Sequence, residues 1–375
     1  MKIVVAMDSF KESLSAQAAC DIVARTIAVE RPEAEIVVRP VADGGEGTAA
    51  AMIAACGGEW IPVRVTGPLA GRQVDAGYAW FGSDETALVE MAAASGLQLL
   101  EAKQRNPLLT TTFGTGELIA AAAGRGAKKI FLAVGGSATV DGGTGAATAL
   151  GWRFLDARGE ALAPGGGALV ELARIVEPAR PLGVPVDVLC DVKNPLCGVS
   201  GAARVYGPQK GATGEMVERL EAGLLRLAMV VKDQLGVDLK DMPGAGAAGG
   251  LAGGAVAFFG GRLISGIEFV IGRTGLAKAI AEADWVITGE GCFDAQSLCG
   301  KVISGIADAA ARAGTRVAVI AGQVALARHE YRRRGIVEAL ACKTEGMSVE
   351  YAIAKAERLL ENATRAFATK YLQSA

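Results

Sequence analysis

Short apolar runs of β-type residues alternate with Ala-rich stretches of helical periodicity at both ends of the chain. Residues 3–7 predict a strand, and apolar residues at helical spacing from Leu14 to Ile27 predict a helix, with Ser13 or Ser15 as its N-cap. Such alternation is typical of α/β proteins with parallel strands. The same pattern predicts strands at 36–41, 129–134, 186–190, 285–288 and 316–321 and helices at 48–56, 116–123, 143–150, 301–313 and 348–371.

In the middle of the chain the pattern of apolar and polar residues changes. Three β-type runs are separated by short turns that contain glycine, which predicts antiparallel strands at 61–65, 72–80 and 86–91. The segment 156–185 is rich in Pro and Gly and predicts a loop excursion, whereas 215–235 predicts an amphipathic helix.

This change of pattern predicts the domain organisation. Residues 1–60 together with 276–375 are expected to form one doubly wound α/β domain, and residues 61–275 a second α/β domain inserted into it. The 375 residues are enough for two or three domains, with cores that need no disulfide or metal.

Composition excludes several classes of protein. Lys and Arg total 38 against 40 Asp and Glu, so no basic surface for nucleic acid is expected. No stretch of about 20 residues is apolar throughout, which argues against a membrane span. Seven cysteines without a C-x-x-C pair and a single histidine, His329, argue against zinc or haem. Reduced thiols and the absence of a signal-peptide pattern predict a cytoplasmic protein.

Five predicted strands are followed by acidic residues, usually beside glycine or a hydroxyl. Glycine makes up 51 of the 375 residues, roughly twice the usual share. Since ligands of open parallel sheets bind beyond the carboxyl ends of the strands, these loops favour a shared acidic, glycine-lined cleft. The loops are Asp8-Ser9-Phe10-Lys11, Asp43-Gly44-Gly45-Glu46, Gly135–Gly143, Asp191-Val192-Lys193-Asn194 and Gly289-Glu290-Gly291-Cys292-Phe293-Asp294.

The loop at 135–145 is the best candidate for holding an anion. Its glycines allow backbone N–H groups to approach a ligand, Ser137 and Thr139 add hydroxyls, and a helix N-terminus follows. A tight turn that packs helix on strand remains the alternative. Residues 244–249 match G-x-G-x-x-G, but no convincing strand precedes them, so a closely packed Gly/Ala helix is favoured over a dinucleotide site. A Walker A motif does not occur.

Carboxylates beside anion-binding glycines suit phosphoryl transfer. Carboxylates hold Mg²⁺, another carboxylate can accept the proton of an attacking hydroxyl, and lysines neutralise phosphate charge. The lysines near these loops are Lys11, Lys193, Lys210 and Lys301.

Eight blocks, in order along the chain, resemble the type-1 family of bacterial glycerate kinases. None of them is specific alone, but together they cover residues 1 to about 325. They are Asp8–Lys11, Pro40–Thr48, Asn106–Thr112, Gly135–Gly143, Asp191–Gly198, Tyr206–Ala212, Pro243–Gly250 and Thr288–Gly291.

The resemblance implies a flavodoxin-like domain with a second α/β domain inserted, and an active site in the cleft between the two domains. It implies ATP- and Mg²⁺-dependent phosphorylation of glycerate, with 2-phosphoglycerate as the expected product and 3-phosphoglycerate as the second choice. The expected partners are the small molecules glycerate and ATP, and a homodimer is left open. A sugar-acid dehydrogenase and a non-catalytic sugar-acid sensor are the remaining alternatives.

The expected site roles combine the strand-end residues with this resemblance. The expected catalytic residues are Asp191 as base, Asp43 as a second candidate base, and Lys301. Glycerate is expected to bind Ser9, Lys11, Asn194, Gly44 and Gly45. The phosphates are expected at Gly135, Gly136, Ser137, Thr139 and Lys210, and Mg²⁺ at Asp294 and Glu290.

The chain departs from the family pattern at four positions. Glu12 and Val140 stand where Gly and Asn are usual, and Cys292 and Cys299 stand where Arg and His are common. If the usual Arg or His contacts a phosphate or the glycerate carboxylate, affinity or substrate range differs here. The nearby acids and Lys301 are kept, so activity is still expected.

Overall fold

The protein forms two compact units. The computed structural model describes residues 1–11, 13–42, 44–45, 47–298 and 301–372. Unit 1 consists of Met1–Asp43, Ala50–Cys56 and Ile267–Ala375, and unit 2 of Gly44–Ala49 and Gly57–Gly266. The predicted α/β fold class is confirmed, because helices alternate with parallel strands in both units.

The described residues contain the following strands in chain order. They are β1 (Lys2–Met7), β2 (Glu35–Val38), β3 (Glu59–Thr66), β4 (Gln73–Phe81), β5 (Thr86–Glu90), β6 (Lys129–Ala133), β7 (Arg153–Leu155), β8 (Arg174–Val176), β9 (Val186–Leu189), β10 (Arg262–Ile264), β11 (Trp285–Gly289), β12 (Cys292–Phe293), β13 (Arg316–Ala321), β14 (Gln323–Val324) and β15 (Ile336–Ala341).

The α-helices are mostly short. They are α1 (Ala16–Glu30), α2 (Thr48–Cys56), α3 (Met91–Ser95), α4 (Phe113–Gly124), α5 (Thr144–Ala149), α6 (Ala202–Tyr206), α7 (Gly214–Leu235), α8 (Leu251–Phe259), α9 (Gly266–Arg273), α10 (Leu276–Ala281), α11 (Val302–Ala313), α12 (Arg328–Arg332), α13 (Val349–Ala354) and α14 (Ala356–Tyr371). Short 3₁₀ segments lie at Leu97–Leu99, Ala102–Gln104, Gly166–Glu171, Pro208–Lys210, Ala247–Gly250 and Gln296–Leu298.

Unit 1 is built around a five-stranded parallel sheet in the order β2-β1-β11-β13-β15. Counted within the unit, this is the order 2-1-3-4-5 of flavodoxin-like sheets. Its central strands are almost wholly buried, and α1 and α14 pack against them through residues such as Val23 and Phe367. Of the two predicted N-caps, it is Ser15 that caps α1: its hydroxyl accepts from the backbone N–H of Ala18.

Unit 2 contains a six-stranded mixed sheet in the order β10-β9-β6-β5-β4-β3. The strands β3, β4 and β5 are antiparallel, as predicted, and β5, β6, β9 and β10 run parallel. The register aligns the last residues of the parallel strands, Glu90, Ala133, Leu189 and Ile264. The loops that follow these strands therefore start at one edge of the sheet.

Several predicted elements differ from the structure. The strand predicted at 36–41 ends at Val38, since Pro40 has no N–H for the sheet ladder. The helix predicted at 348–371 is broken at Lys355, where the backbone leaves the helical region. The predicted loop 156–185 contains β8, which pairs with β7.

None of the helices in the described residues combines the length and apolar character needed to cross a membrane.

Candidate active site

In unit 2, the loop after β6 packs against the glycine pair at 44–45. The Gly135 N–H donates to the Gly44 carbonyl oxygen over 3.3 Å, and a Cβ on Gly135 would collide with the Gly45 Cα. Gly44 has φ +89°, and its own Cβ would lie 2.9 Å from the Leu189 Cβ, at the end of β9. The structure thus brings together the loops predicted to bind glycerate and phosphate, and only glycine permits this approach.

Lys210 lies beneath the loop rather than at its surface. The side chain is 2% exposed, and its Nζ donates to Ser137 Oγ over 2.7 Å and to the Thr139 carbonyl oxygen over 2.8 Å. Burial lowers the pKa of Lys210 from 10.5 to about 7, against the opposing charge of Asp141. Thr139 is fully buried, and its hydroxyl has no hydrogen-bond partner in the described part of the chain. Lys210 therefore supports the loop from inside the unit.

Asp141 ties the loop to the start of two helices. Its Oδ2 accepts from the Thr112 N–H and hydroxyl over 2.8 and 2.9 Å and from the Gly145 N–H over 3.3 Å, and its Oδ1 accepts from the Gly143 N–H over 3.1 Å. Burial raises the pKa of this carboxyl, and the four donors act in the opposite direction. The sequence placed Asp141 in the loop without assigning it a role.

Gly249, the last glycine of the G-x-G-x-x-G match, and Gly254 of α8 pack against the same loop. A Cβ on Gly249 would collide with the Thr139 carbonyl oxygen, and one on Gly254 with the Gly142 carbonyl oxygen. Residues 236–243, all described, form no strand. The prediction of a Gly/Ala helix at 244–249 is wrong: these residues form turns and the start of a 3₁₀ segment in which Ala248 and Gly249 have left-handed backbone, and α8 begins only at Leu251. The expected close packing is present, since Cβ atoms on Gly246 and Gly249 would collide with the carbonyl oxygens of Pro195 and Thr139.

Asp191 follows β9, beside the end of β10. Its Oδ1 accepts from the Ser265 hydroxyl over 2.7 Å and from the Gly266 N–H over 3.0 Å. Asn194, three residues on, donates to the Ser200 carbonyl oxygen over 2.8 Å and accepts from the Tyr206 hydroxyl over 2.7 Å. The Asn194 amide therefore stabilises the loop that contains it. Asp191 is held in a fixed orientation at the end of β9.

In unit 1, the loops after β1 and β11 meet at the centre of the sheet. These two strands are neighbours, and the order of the sheet reverses between them, which is where ligands of such sheets bind. The Asp8 N–H donates to the Gly289 carbonyl oxygen over 2.9 Å, and a Cβ on Gly291 would lie 3.6 Å from the Lys11 backbone nitrogen. Ser9 is half-buried and Lys11 is exposed.

The acids after β11 form a cluster with Cys292 and Lys301. Burial raises the pKa of the Cys292 thiol, the charges of Asp294 and Glu290 raise it further, and Lys301 opposes them. Asp294 is oriented by the Gln296 and Ser297 N–H groups, which donate to its Oδ1 over 2.8 and 3.2 Å. Lys301 is the N-cap residue of α11. The charges of both predicted metal ligands and of Lys301 thus act on the same thiol.

The predicted site residues fall into two groups, one in each unit. Unit 1 holds Ser9, Lys11, Glu290, Asp294 and Lys301, and unit 2 holds Gly44, Gly45, Gly135, Gly136, Ser137, Thr139, Asp191, Asn194 and Lys210. The predicted second base Asp43 and the family departures Glu12 and Cys299 lie outside the described residues. Val140 is fully buried in the core of unit 2.

Sequence reasoning missed one acid at a strand end. Glu90 is the last residue of β5, is 8% exposed, and accepts from the Ala49 N–H over 2.7 Å. The signal was available, since an acid closes an otherwise apolar strand. Within the described residues, no group of three or more His, Cys, Asp or Glu side chains could hold a metal ion.

The parallel sheets, with acids and glycines at their carboxyl ends, define an α/β enzyme. A model of the glycerate kinase family matches residues 3–372. The glycerate kinase of Halalkalibacterium halodurans is 44% identical over 367 residues, which cover 97% of this chain and 96% of that protein. The glycerate 2-kinase of Escherichia coli strain K12 is 48% identical over 328 residues, 86% of each chain.

A solved structure shows the same fold. The crystal structure of the Salmonella typhimurium LT2 protein described as glycerate kinase 2 matches with a TM-score of 0.82 and 43% identity, and covers 98% of this chain and 97% of that one. The chain belongs to the glycerate kinase family, and it is an enzyme of that family.

Proposed function

We propose that the protein transfers the γ-phosphoryl group of ATP to a hydroxyl of glycerate and releases 2-phosphoglycerate and ADP. The unbroken family match from residue 3 to residue 372 carries this proposal. The particular product is supported by the Escherichia coli relative at 48% identity, whose name specifies a 2-kinase. The proposal places the enzyme in the cytoplasm, where ATP is available.

Asp191 is the proposed base. A carboxylate in this role accepts the proton of the attacking glycerate hydroxyl as the bond to phosphorus forms. The two donors on its Oδ1, Ser265 Oγ and the Gly266 N–H, fix the direction of the carboxylate before substrate arrives. Such pre-orientation removes an entropic cost that would otherwise fall on the chemical step.

The loop 135–139 is proposed to bind a phosphoryl group of the nucleotide. Gly136 places a backbone N–H group at the carboxyl end of β6, and the half-buried Ser137 adds a hydroxyl. The Gly135 N–H is used by the Gly44 carbonyl oxygen, so Gly135 serves the close packing of the loop. In unit 1, Lys11 and Ser9 are proposed to hold an anionic group of a substrate, because Lys11 is exposed directly beyond β1. Lys301 adds a second positive charge near the loop after β11.

Glu290 and Asp294 suit a magnesium ion. Mg²⁺ prefers oxygen ligands and is commonly held by one or two carboxylates, with substrate phosphates and water completing its shell. Two carboxylates in the loop after β11 match this donor set, and the charges of both act on the Cys292 thiol between them in the sequence. When bound, the ion neutralises negative charge on the phosphates.

The test is a coupled assay of ADP release with glycerate and MgATP, followed by phosphorus NMR of the product. We expect glycerate-dependent ADP release and a phosphorus signal coupled to the single C2 proton of 2-phosphoglycerate. A signal coupled to the two C3 protons would assign the 3-phosphoglycerate product instead. Reduction of NAD(P)⁺ by glycerate without ADP release would establish a dehydrogenase, and tight glycerate binding without turnover would establish a sensor.

A further inference from the structure

A positive charge is buried directly under the loop 135–139. An ammonium group carries three donors and no acceptor, so every neighbour of Lys210 Nζ must accept from it. The two acceptors are Ser137 Oγ and the Thr139 carbonyl oxygen, at 2.7 and 2.8 Å. The carbonyl oxygen belongs to the backbone of the loop, whereas Ser137 Oγ is a hydroxyl with a hydrogen of its own.

The direction of the Ser137 hydroxyl follows from this contact. Because its oxygen accepts from Nζ, its hydrogen points away from Lys210, and among the described residues this hydroxyl donates to no protein acceptor. Ser137 is half-buried, and its neighbour Gly136 is exposed, so the outer side of the loop is accessible. A hydroxyl that accepts from a cation is also a stronger donor, since hydrogen bonds in a chain polarise one another.

We propose that Lys210 is a positioning residue that turns the Ser137 hydroxyl outward as a hydrogen-bond donor to a phosphoryl oxygen of the bound nucleotide. It acts through Ser137 and the Thr139 carbonyl, without contacting the ligand. This inference rests on the proposed function, because it assigns the phosphoryl group of ATP to this loop. It differs from the role expected from the sequence, in which Lys210 itself contacts phosphate.

The charges around Lys210 give the arrangement a pH dependence. Asp141 is the charged group that acts on Lys210 from the loop. The Arg105 carbonyl oxygen and Cβ lie against Gly211, the residue after Lys210. With a pKa of about 7, Lys210 loses part of its charge at and above neutral pH, and the outward donor weakens with it. A phosphoryl anion on the loop favours the protonated lysine.

The experiment compares the KM for ATP and kcat of wild type, Lys210→Met, Ser137→Ala and the double variant between pH 6.5 and 8.5. Lys232→Met is the matched control, since Lys232 is an exposed lysine of unit 2 paired with Asp238. At pH 6.5 we expect Lys210→Met to raise the KM for ATP about 10- to 100-fold, as for a lost charge-assisted hydrogen bond. The ratio of the KM of Lys210→Met to that of wild type should fall as the pH rises above 7, because wild-type Lys210 then loses its charge. The ionisation of ATP affects both KM values equally and cancels in this ratio.

Coupling distinguishes positioning from simple structural support. If Lys210 acts through Ser137, the double variant has nearly the KM of Lys210→Met alone. Additive effects, or a KM ratio that is constant with pH, would overturn the proposal. If Lys210→Met does not fold, Ser137→Ala alone tests the proposal. The ratio of its KM for ATP to that of wild type should also fall above pH 7.

The failure of the proposed function would give a different result. Wild-type protein that shows no glycerate-dependent ADP release contradicts the kinase activity. Calorimetric titration with MgADP then tests the role of Lys210, with the same variants at the same pH values. Equal MgADP affinity of wild type and Lys210→Met at pH 6.5 would overturn the proposal.

Discussion

Burial of Lys210 should leave a pH-dependent mark on the stability of the protein. In the unfolded chain a lysine has a pKa of 10.5, whereas in the folded protein burial lowers it to about 7. Between these two values the unfolded chain binds a proton that the folded protein has released. The free energy of unfolding therefore rises with pH across this window, and below pH 7 the folded protein carries the full cost of the buried charge.

The magnitude follows from the slope. One proton corresponds to about 1.4 kcal/mol per pH unit, so wild type should gain about 2 to 3 kcal/mol between pH 7 and pH 9 relative to Lys210→Met. Methionine has nearly the length of lysine and no charge, so the variant lacks this contribution. Cys20, Cys197 and Cys342, whose pKa values burial raises to about 12, are present in both proteins and cancel in the difference.

The assay is urea unfolding at pH 7, 8 and 9, followed by circular dichroism, with Lys232→Met as the exposed control. We expect the stability difference between wild type and Lys210→Met to move in favour of wild type at each step. The difference between wild type and the Lys232→Met control should stay constant. A wild-type to Lys210→Met difference that is the same at all three pH values would show that Lys210 keeps its proton throughout, and would refute the reasoning.

Three further predictions concern the other groups of the site. Asp191→Asn should lower kcat at least 100-fold and leave the KM for glycerate within about threefold, because the amide keeps the shape of the carboxylate but cannot accept the proton. Glu290→Gln and Asp294→Asn should each raise the Mg²⁺ concentration for half-maximal activity about tenfold, measured by titrating Mg²⁺ at fixed ATP. Gly249→Ala should cost about 2 to 4 kcal/mol in urea unfolding, because its Cβ meets the Thr139 carbonyl oxygen.

Each of these predictions has a matched control. Asp241→Asn, at an exposed acid of unit 2, should leave kcat unchanged, and Glu282→Gln, at an exposed acid of unit 1, should leave the Mg²⁺ requirement unchanged. Gly260 has φ +64°, nearly the +65° of Gly249, but no atom within 4 Å of its Cβ position. Gly260→Ala therefore carries the backbone strain alone, and an equal loss in both variants would rule out the contact with Thr139. Asp191→Asn with more than a tenth of wild-type kcat would exclude Asp191 as the base.

The elements that local sequence decides could be predicted. The helix at 48–56 has the predicted bounds, and Thr213 caps α7 through the Met216 N–H as the spacing indicates. Elements that depend on partners far along the chain were missed. β10 has three residues, too few to show a period, and becomes a strand only by pairing with β9. The break at Lys355 likewise leaves no signal in the composition of 348–371.

The same limit applies to the candidate site. The loops after the strands were found from the rule that parallel sheets bind ligands at their carboxyl ends, and in unit 1 the loops after β1 and β11 meet. The donors that orient Asp191 were not found, because Ser265 and the Gly266 N–H follow the missed β10. The burial of Lys210 could not be predicted either. The sequence shows a lysine at 210, but only the packing around it shows that its side chain faces inward.

The strand order of unit 1 has a consequence for how the chain is made. β1 pairs with β11, and the Lys2 N–H donates to Asp284, 282 residues later. At about 5 to 20 residues per second, a ribosome needs on the order of tens of seconds to deliver the second partner after the first. Until β11 is made, nascent β1 and β2 lack the rest of their sheet and expose apolar surface. Residues Gly57–Gly266 are by then complete and can already fold. One edge of β1 can pair with β2 early, but its other edge gains its partner only when β11 has been made, so the new chain exposes an unpaired strand edge throughout this interval.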